Sequence, residues 1–460
     1  MNQFYNPVFL SKILKSYLLD IDRLRRINSK QLRDYQNKQF RRLIKFAFTV
    51  PMYHDKYKKS GININDIKSL DDIEKIPTVT KDDFKNYFPD GITSSKVNKK
   101  TLIQVSTSGT TGKKLTVYVD MFDIIVGLFG YIRSIKEHGI NWRKDKLTII
   151  ADFAPHTVET GYINRGLYKY FGSNIFFKNF QWLNTNDPPE KIIKEIDNFK
   201  PDFIGGYVGM LGHLALLKEK GFGKNISPKV IAATGAPLSL PLKNLIEKSF
   251  NAKIFESYGS TESGPIAFTC KNGKFHVMSD FVYLEFFKNG KPVEHEEAGK
   301  LVVTKLYGNG TPIIRYDAIN DIVAPLLSTC DCGLTGSLLK KIYGREDISI
   351  YTADGRILLP TSFGDIFGKI LYELKTNKLK NVRIIQHSLT KIEIQAVIDE
   401  NLREIGPSVE QIFSVIKDGF KEKIGSNVEF ITKEVKNIDT NKPRIISKVD
   451  PSKIKIIGYD

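Results

Sequence analysis

Ser106-Thr107-Ser108-Gly109-Thr110-Thr111-Gly112-Lys113-Lys114 follows directly on a strand-like run at residues 102–105. The two glycines let backbone N–H groups turn toward an anion, four hydroxyls donate without bulk, and Lys113 neutralises charge. This is the composition of a phosphate-binding loop. Only two residues separate Gly109 from Gly112-Lys113 where a Walker loop has four, so a P-loop kinase or GTPase is disfavoured. A plain Ser/Thr/Gly surface loop is the alternative reading. A second stretch, Glu256-Ser-Tyr-Gly-Ser-Thr-Glu-Ser-Gly264, also follows a strand and adds carboxylates to the same chemistry. At the carboxyl ends of adjacent parallel strands, the two loops are expected to face one crevice, where open α/β sheets bind ligands.

Outward from these loops the chain organises itself by pattern. Residues 1–95 read as a leading helical segment, with a helix running into Pro51 and a capped start at Thr80-Lys-Asp-Asp. Strand-like runs at 102–105, 147–150, 174–177, 203–205, 229–233 and 253–256 alternate with helical stretches at 121–138, 189–199, 209–220 and 241–250. That alternation predicts a largely parallel sheet covered by helices. Residues 282–287 and 300–305 read as antiparallel strands around Asn289-Gly290, a small β-subdomain. Beyond Gly344 the rhythm becomes helix–strand–strand–helix–strand (362–375, 382–387, 391–397, 409–423, 428–432), a small α+β domain. The expected division is α/β domain 1–344 and α+β lid 345–460.

The 460 residues carry 69 Lys+Arg against 51 Asp+Glu, net +18, and the first fifty residues alone are net +8. In residues 23–45 the charges alternate with apolar residues at helical spacing, which reads as a solvated helix face rather than a nucleic-acid surface. No zinc-finger, aromatic-strand or helix-turn-helix signature supports a nucleic-acid module, although a basic nucleic-acid-binding protein is the alternative of another class. No apolar run approaches the roughly 20 residues of a membrane helix, and Lys12 and Lys15 interrupt any signal-peptide core. A cytoplasmic protein without a membrane partner is expected.

All three cysteines lie close together in the chain. Cys270 precedes His276 by a five-residue spacer, and Cys330-Asp-Cys332 follows. Three sulfurs and an imidazole supply four ligands suited to a structural, tetrahedral Zn²⁺; reduced thiols beside a surface histidine are the other reading.

Three ordered motifs resemble the adenylate-forming acyl-CoA synthetases, and within them the phenylacetate-CoA ligase-like branch. Thr107 to Lys113 looks like the family's phosphate loop, Ala233-Thr-Gly235-Ala236-Pro237 its adenine-side turn, and Tyr258-Gly259-Ser-Thr261-Glu262 its most diagnostic segment. The resemblance implies that Tyr258 packs on adenine, Thr261 bonds the α-phosphate, and Glu262 holds Mg²⁺. Asp321 would bind the ribose hydroxyls, assisted by Arg345. The family's aspartate follows Thr-Gly or Thr-Arg, whereas Ile319-Asn320 precede it here, so Asp317 is a rival. The family's late Gly-Lys has its nearest counterpart in Asn441-Lys442-Pro443, with a solvated basic turn as the alternative. His156, Gly206 and Tyr207 are candidates for the acyl pocket, together with Tyr131, Phe153 and Gly205; a packing role in the loop is the other reading of His156.

The same resemblance implies a ligase that uses ATP, Mg²⁺ and CoA to convert a small, aryl or other, carboxylic acid to its thioester through an acyl-adenylate, as a possible homodimer. An adenylyltransferase, or a ligase loading a carrier protein, is the rival on the same fold.

Overall fold

The computed structural model describes residues 3–107, 115–154, 157–161, 178–438 and 444–459. Four helices dominate the first ninety residues: α1 (Pro7–Asp20), α2 (Ser29–Ala47), α3 (Pro51–Lys59) and α4 (Lys81–Tyr87). The basic run resolves as the patterning predicts. On α2, Leu32, Phe40, Leu43, Ile44 and Ala47 are buried while most Lys/Arg positions stay wet, and a capping box between Asn28 and Gln31 satisfies the first turn. Helix α4 starts on a second capping box, Thr80 with Asp83.

Strands β1 (Ile103–Ser106) and β2 (Thr116–Val119) form an antiparallel ribbon with Ser106 opposite Thr116. The sequence places the first loop at the carboxyl end of a parallel strand; instead β1 pairs antiparallel with the next strand, β2. The physical reason is the second apolar run, Thr116–Val119, which satisfies the backbone of β1 within the ribbon itself.

After α5 (Met121–Glu137), strands β3 (Leu147–Ala151), β4 (Phe180–Asn184), β5 (Phe203–Tyr207), β6 (Val230–Thr234) and β7 (Lys253–Ser260) pair in parallel in the order β4-β3-β5-β6-β7. Helices α6 (Pro189–Phe199), α7 (Val208–Glu219) and α8 (Leu240–Phe250) bury Ile192, Ile196, Leu211, Leu214 and Ile246 among the apolar strand residues of this half. Strand β4 is not among those the sequence predicts, and the run at 174–177 lies outside the described residues.

The sheet does not stop at β7. It continues antiparallel through β8 (Gly264–Thr269), β9 (Phe275–Val277), β10 (Val282–Lys288), β11 (Lys291–Pro292), β12 (Gly299–Lys305), β13 (Asp321–Leu326) and β14 (Leu338–Arg345), completing twelve strands. The expected β-subdomain is therefore continuous with the parallel half. Asn289 and Gly290, both at positive φ, form the two-residue turn between β10 and β11, and β12 pairs with the other edge of β10.

The C-terminal part has the expected alternation. Strands β15 (Ile350–Tyr351) and β16 (Arg356–Leu358) precede α9 (Pro360–Tyr372). Strands β17 (Leu379–Ser388) and β18 (Lys391–Ile398), helix α10 (Val409–Ile424), β19 (Glu429–Glu434) and β20 (Ile445–Ser447) follow, before the short β21 (Gly458–Tyr459). The order β19-β18-β17-β20 makes one sheet, with a core of its own built from Phe363, Ile366, Ile384, Ile394, Ile412 and Phe420. Among the described residues, no helix is long and apolar enough to cross a membrane.

Candidate functional site

The β7–β8 hairpin carries the second motif. Tyr258 and Ser260 lie near the end of β7, and Thr261 and Glu262 form the bend. Ser260 Oγ receives the Ser263 N–H at 3.1 Å, fixing that bend. Gly259 is required there, because a Cβ would stand 2.7 Å from the Gly264 carbonyl oxygen.

Two carboxylates from distant parts of the chain meet tyrosines of this region. The Tyr258 hydroxyl donates to Asp321 Oδ2 at 2.5 Å, and the Tyr316 hydroxyl donates to Glu262 Oε1 at 3.1 Å. Both carboxyl groups are buried and pushed upward by desolvation, Asp321 to about 6. Each phenol partly offsets that cost by hydrogen bonding to the charged form.

Asp321 opens β13 and lies directly opposite Arg345, the last residue of β14. The Arg345 guanidinium is held by Asp347 at 2.5 and 2.8 Å. Asp317 differs: its backbone N–H donates to the Val79 carbonyl at 3.1 Å, so its segment is tied to the N-terminal helices. Asp321 is the aspartate that shares a hydrogen bond with Tyr258.

The same tie introduces a residue the motif reading misses. Val79 N–H donates to the Arg315 carbonyl at 2.9 Å, which sets Lys81 within the electrostatic field of Glu262, Arg345 and Asp347. In sequence Lys81 reads only as the first turn of a capped helix; a long-range backbone tie is what gives it this position. Tyr316 is missed for a similar reason, since it is an apolar-looking member of Ile313-Ile314-Arg315-Tyr316 until the β7–β8 bend supplies Glu262.

At the ends of β5 and β6, Tyr207 and Gly235 meet. Gly235 has φ +81°, and a Cβ there would strike the Tyr207 ring at 2.4 Å, so the Gly235-Ala236-Pro237 turn lies against that aromatic face. The Tyr207 hydroxyl donates to Glu159 at 2.9 Å. Gly206, one residue earlier, packs toward Ile150 of β3. Thr107 closes the base of the first hairpin, its Oγ1 accepting the Leu115 N–H at 3.0 Å. Ser108, Gly109, Thr110, Thr111, Gly112, Lys113, His156 and Lys442 lie outside the described residues.

Away from this crevice, Cys270, His276, Cys330 and Cys332 come together, their ligand atoms all within 4.8 Å of one another. Cys270 Sγ lies 3.8 Å from Cys330 Sγ, and Cys332 Sγ 3.2 Å from His276 Nε2. Zn–S bonds of about 2.3 Å at tetrahedral angles give an S···S edge of about 3.8 Å, so the sulfur spacing fits that ion. Burial, then Lys274 and Arg25, pushes His276 down to about 4, which keeps the imidazole neutral as a ligand must be. Burial pushes the Cys332 thiol up to about 12, a cost that a cation among the sulfurs would reverse.

No protein-family model matches the chain. It is 22% identical over 419 residues to protein CapK of Staphylococcus aureus, covering 90% of this chain and 88% of that protein. It is 26% identical over 328 residues to the phenylacetate-coenzyme A ligase of Escherichia coli K12, covering 69% and 72% of the two chains. Among solved structures, 2-hydroxyisobutyryl-CoA ligase in its postadenylation state aligns with a TM-score of 0.71 at 18% identity, over 92% of this chain and 90% of that one. The resemblance carried by the three motifs thus extends to the whole architecture: the chain has the fold of adenylate-forming CoA ligases and is similar over most of its length to phenylacetate-coenzyme A ligases.

Proposed function

We propose that the protein is an ATP-dependent, AMP-forming ligase that joins a small carboxylic acid to coenzyme A. The observation that carries this reading is the pairing of Tyr258 with Asp321 beside Glu262 and Tyr316. An aromatic ring, a carboxylate able to accept two ribose hydroxyls and a second carboxylate suited to Mg²⁺ lie close to one another. In this reading Tyr258 packs on adenine against the Gly235-Ala236-Pro237 turn, and Asp321 with Arg345 holds the ribose. Thr261 bonds the α-phosphate, while Lys81 and the loop Thr107 to Lys113 neutralise the outer phosphates.

Glu262 would hold Mg²⁺, which when bound offsets phosphate charge. The substrate carboxylate attacks the α-phosphorus and pyrophosphate leaves. The CoA thiol then attacks the acyl carbon, losing its proton, and AMP departs. No protein nucleophile is needed, so the protein contributes positioning and charge compensation. Lys442 is assigned to the first half-reaction, and His156, Gly206 and Tyr207 to the acyl pocket. Rotation of the C-terminal α+β body about residues 344–347 would separate the two steps. The Cys270, His276, Cys330, Cys332 set would hold a structural Zn²⁺ that clips the β8–β9 hairpin to the segment between β13 and β14.

The test is carboxylate-dependent exchange of pyrophosphate into ATP over a broad acid panel. Exchange with at least one acid, followed by CoA-dependent AMP release, is expected; no exchange with any acid overturns the reading. In a second reading the adenylate passes to a carrier protein, or AMP to a hydroxyl acceptor. Exchange without CoA-dependent product favours it.

A further inference from the structure

We propose that the outer face of α1 attaches this protein to the surface of an anionic lipid bilayer. Helix α1 is apolar on both sides. Its inner side, with Phe9, Ile13 and Tyr17, packs on the core. Its outer side presents Leu10, Leu14 and Leu18, spaced four residues apart and 44, 58 and 55% exposed, with Val8 and Leu19 beside them. Large apolar side chains exposed in one contiguous row belong against another apolar phase. The concentration is local: of the fourteen exposed large hydrophobic side chains among the described residues, six lie between Tyr5 and Leu19.

The charges around this face select the phase. Lys15 is exposed among the leucines. Arg143 lies over Tyr17 at 4.9 Å and Arg26 donates to the Leu18 carbonyl at 3.0 Å, whereas Lys12 turns inward, its ammonium 3.6 Å over Phe122. The acids nearby are engaged: Asp20 with Ser16 and Arg23, Asp22 with Arg26 and Lys136. Leucines inserted at the acyl boundary with lysine and arginine at headgroup level is how an interfacial helix holds to anionic lipid.

A second copy of the chain fits this face less well. The face is convex, about 21 Å long for 14 residues. With a helix width of roughly 10 Å it offers on the order of 200 Å², far below the approximately 800 Å² per partner of a stable interface. It would also bring together two surfaces of a chain that is net +18. Lying on a bilayer needs no spanning segment, so the lack of a membrane-crossing helix does not bear on it.

The experiment is co-sedimentation of the full chain with vesicles of phosphatidylcholine alone and of phosphatidylcholine mixed with phosphatidylglycerol, alongside light scattering. Binding to the mixed vesicles, weakened by salt and at least about tenfold stronger than to phosphatidylcholine alone, is expected. Leu14→Glu with Leu18→Glu should lower it at least about tenfold while leaving the melting temperature unchanged. Should that double variant fold poorly, Lys15→Glu should still weaken binding several-fold. No sedimentation with the mixed vesicles, equal binding to both vesicle types, binding indifferent to these substitutions, or a stable dimer that the leucine substitutions dissolve would each overturn the proposal.

Discussion

The tyrosine–carboxylate pairs at the β7–β8 bend and the cysteine cluster spend burial in opposite ways. In the pairs, Asp321 and Glu262 are buried carboxylates that accept from the Tyr258 and Tyr316 hydroxyls, and desolvation pushes both upward. In the cluster, three sulfurs and one imidazole lie within 4.8 Å of each other and supply the four donors a single metal ion could take. Under the proposed function the first arrangement would stay costly until a ligand arrives and would serve turnover, whereas the second would close on a single ion and serve the fold.

Substitutions that separate activity from stability put this contrast at risk. The largest effect is expected from Glu262→Gln, which keeps the Tyr316 hydrogen bond but removes the negative charge. Pyrophosphate exchange should fall by about 10²–10³-fold while the melting temperature does not fall. A parallel loss of stability would show that Glu262 is structural, and the contrast would vanish.

The cluster should behave in the reverse way. Metal analysis of the purified protein is expected to find one zinc per chain, lost in Cys332→Ser. That variant should melt about 5 °C or more lower, with exchange activity per folded molecule retained. Zinc absent from the parent, or activity lost without a change in melting, would assign the sulfurs another role.

The smallest effect sharpens the comparison through pH. The folded-state pKa of Asp321, about 6, exceeds the 3.8 of an ordinary aspartate, so the folded protein binds this proton more tightly than the unfolded chain. Its contribution to stability therefore declines as pH rises from about 4 to about 6 and stays at its lowest above that window. Asp321→Asn cannot ionise. It should match the parent below pH 4 and exceed it by about 1–3 kcal/mol above pH 6, while binding ATP more weakly. Denaturant titrations at pH 4 and pH 7.5 with calorimetric nucleotide binding check this; a variant less stable at pH 7.5 would mean that Asp321 is stabilised by its surroundings rather than strained by them.

Local signals make much of this molecule legible in its sequence. The helices at residues 121–138, 189–199 and 241–250 can be read because apolar periodicity and Pro or Asp caps coincide there. The cysteine cluster is legible because its members are cysteines and a histidine, residue types rare enough here for their spacing in sequence to signal proximity in space. Pairing across the chain is not legible. Nothing in Ser106–Lys114 distinguishes a strand-to-helix turn from the hairpin that β2 creates, and nothing in Val282–Lys305 says that those strands continue the parallel sheet rather than fold apart from it. Lys81 and Tyr316 are invisible as site residues because their places depend on a backbone tie between Val79 and the segment 315–317. The sequence ambiguity between Asp317 and Asp321 is of the same kind, and the hydrogen bond from Tyr258 favours Asp321.

Arg345 ends a strand that is laddered to Asp321, and the glycine before it sits at φ +94° with the Pro360 ring about 3.0 Å from where a Cβ would stand. In the proposed rotation, the pairing with Asp321 would keep that arginine on the large sheet, with the swivel past it. Under the same reading its guanidinium would stay on the sugar side of ATP while the segment beyond it turns. Exchanging catalytic faces would thus require no release of the nucleoside, and AMP would depart only once the second acceptor had cut it from the acyl group.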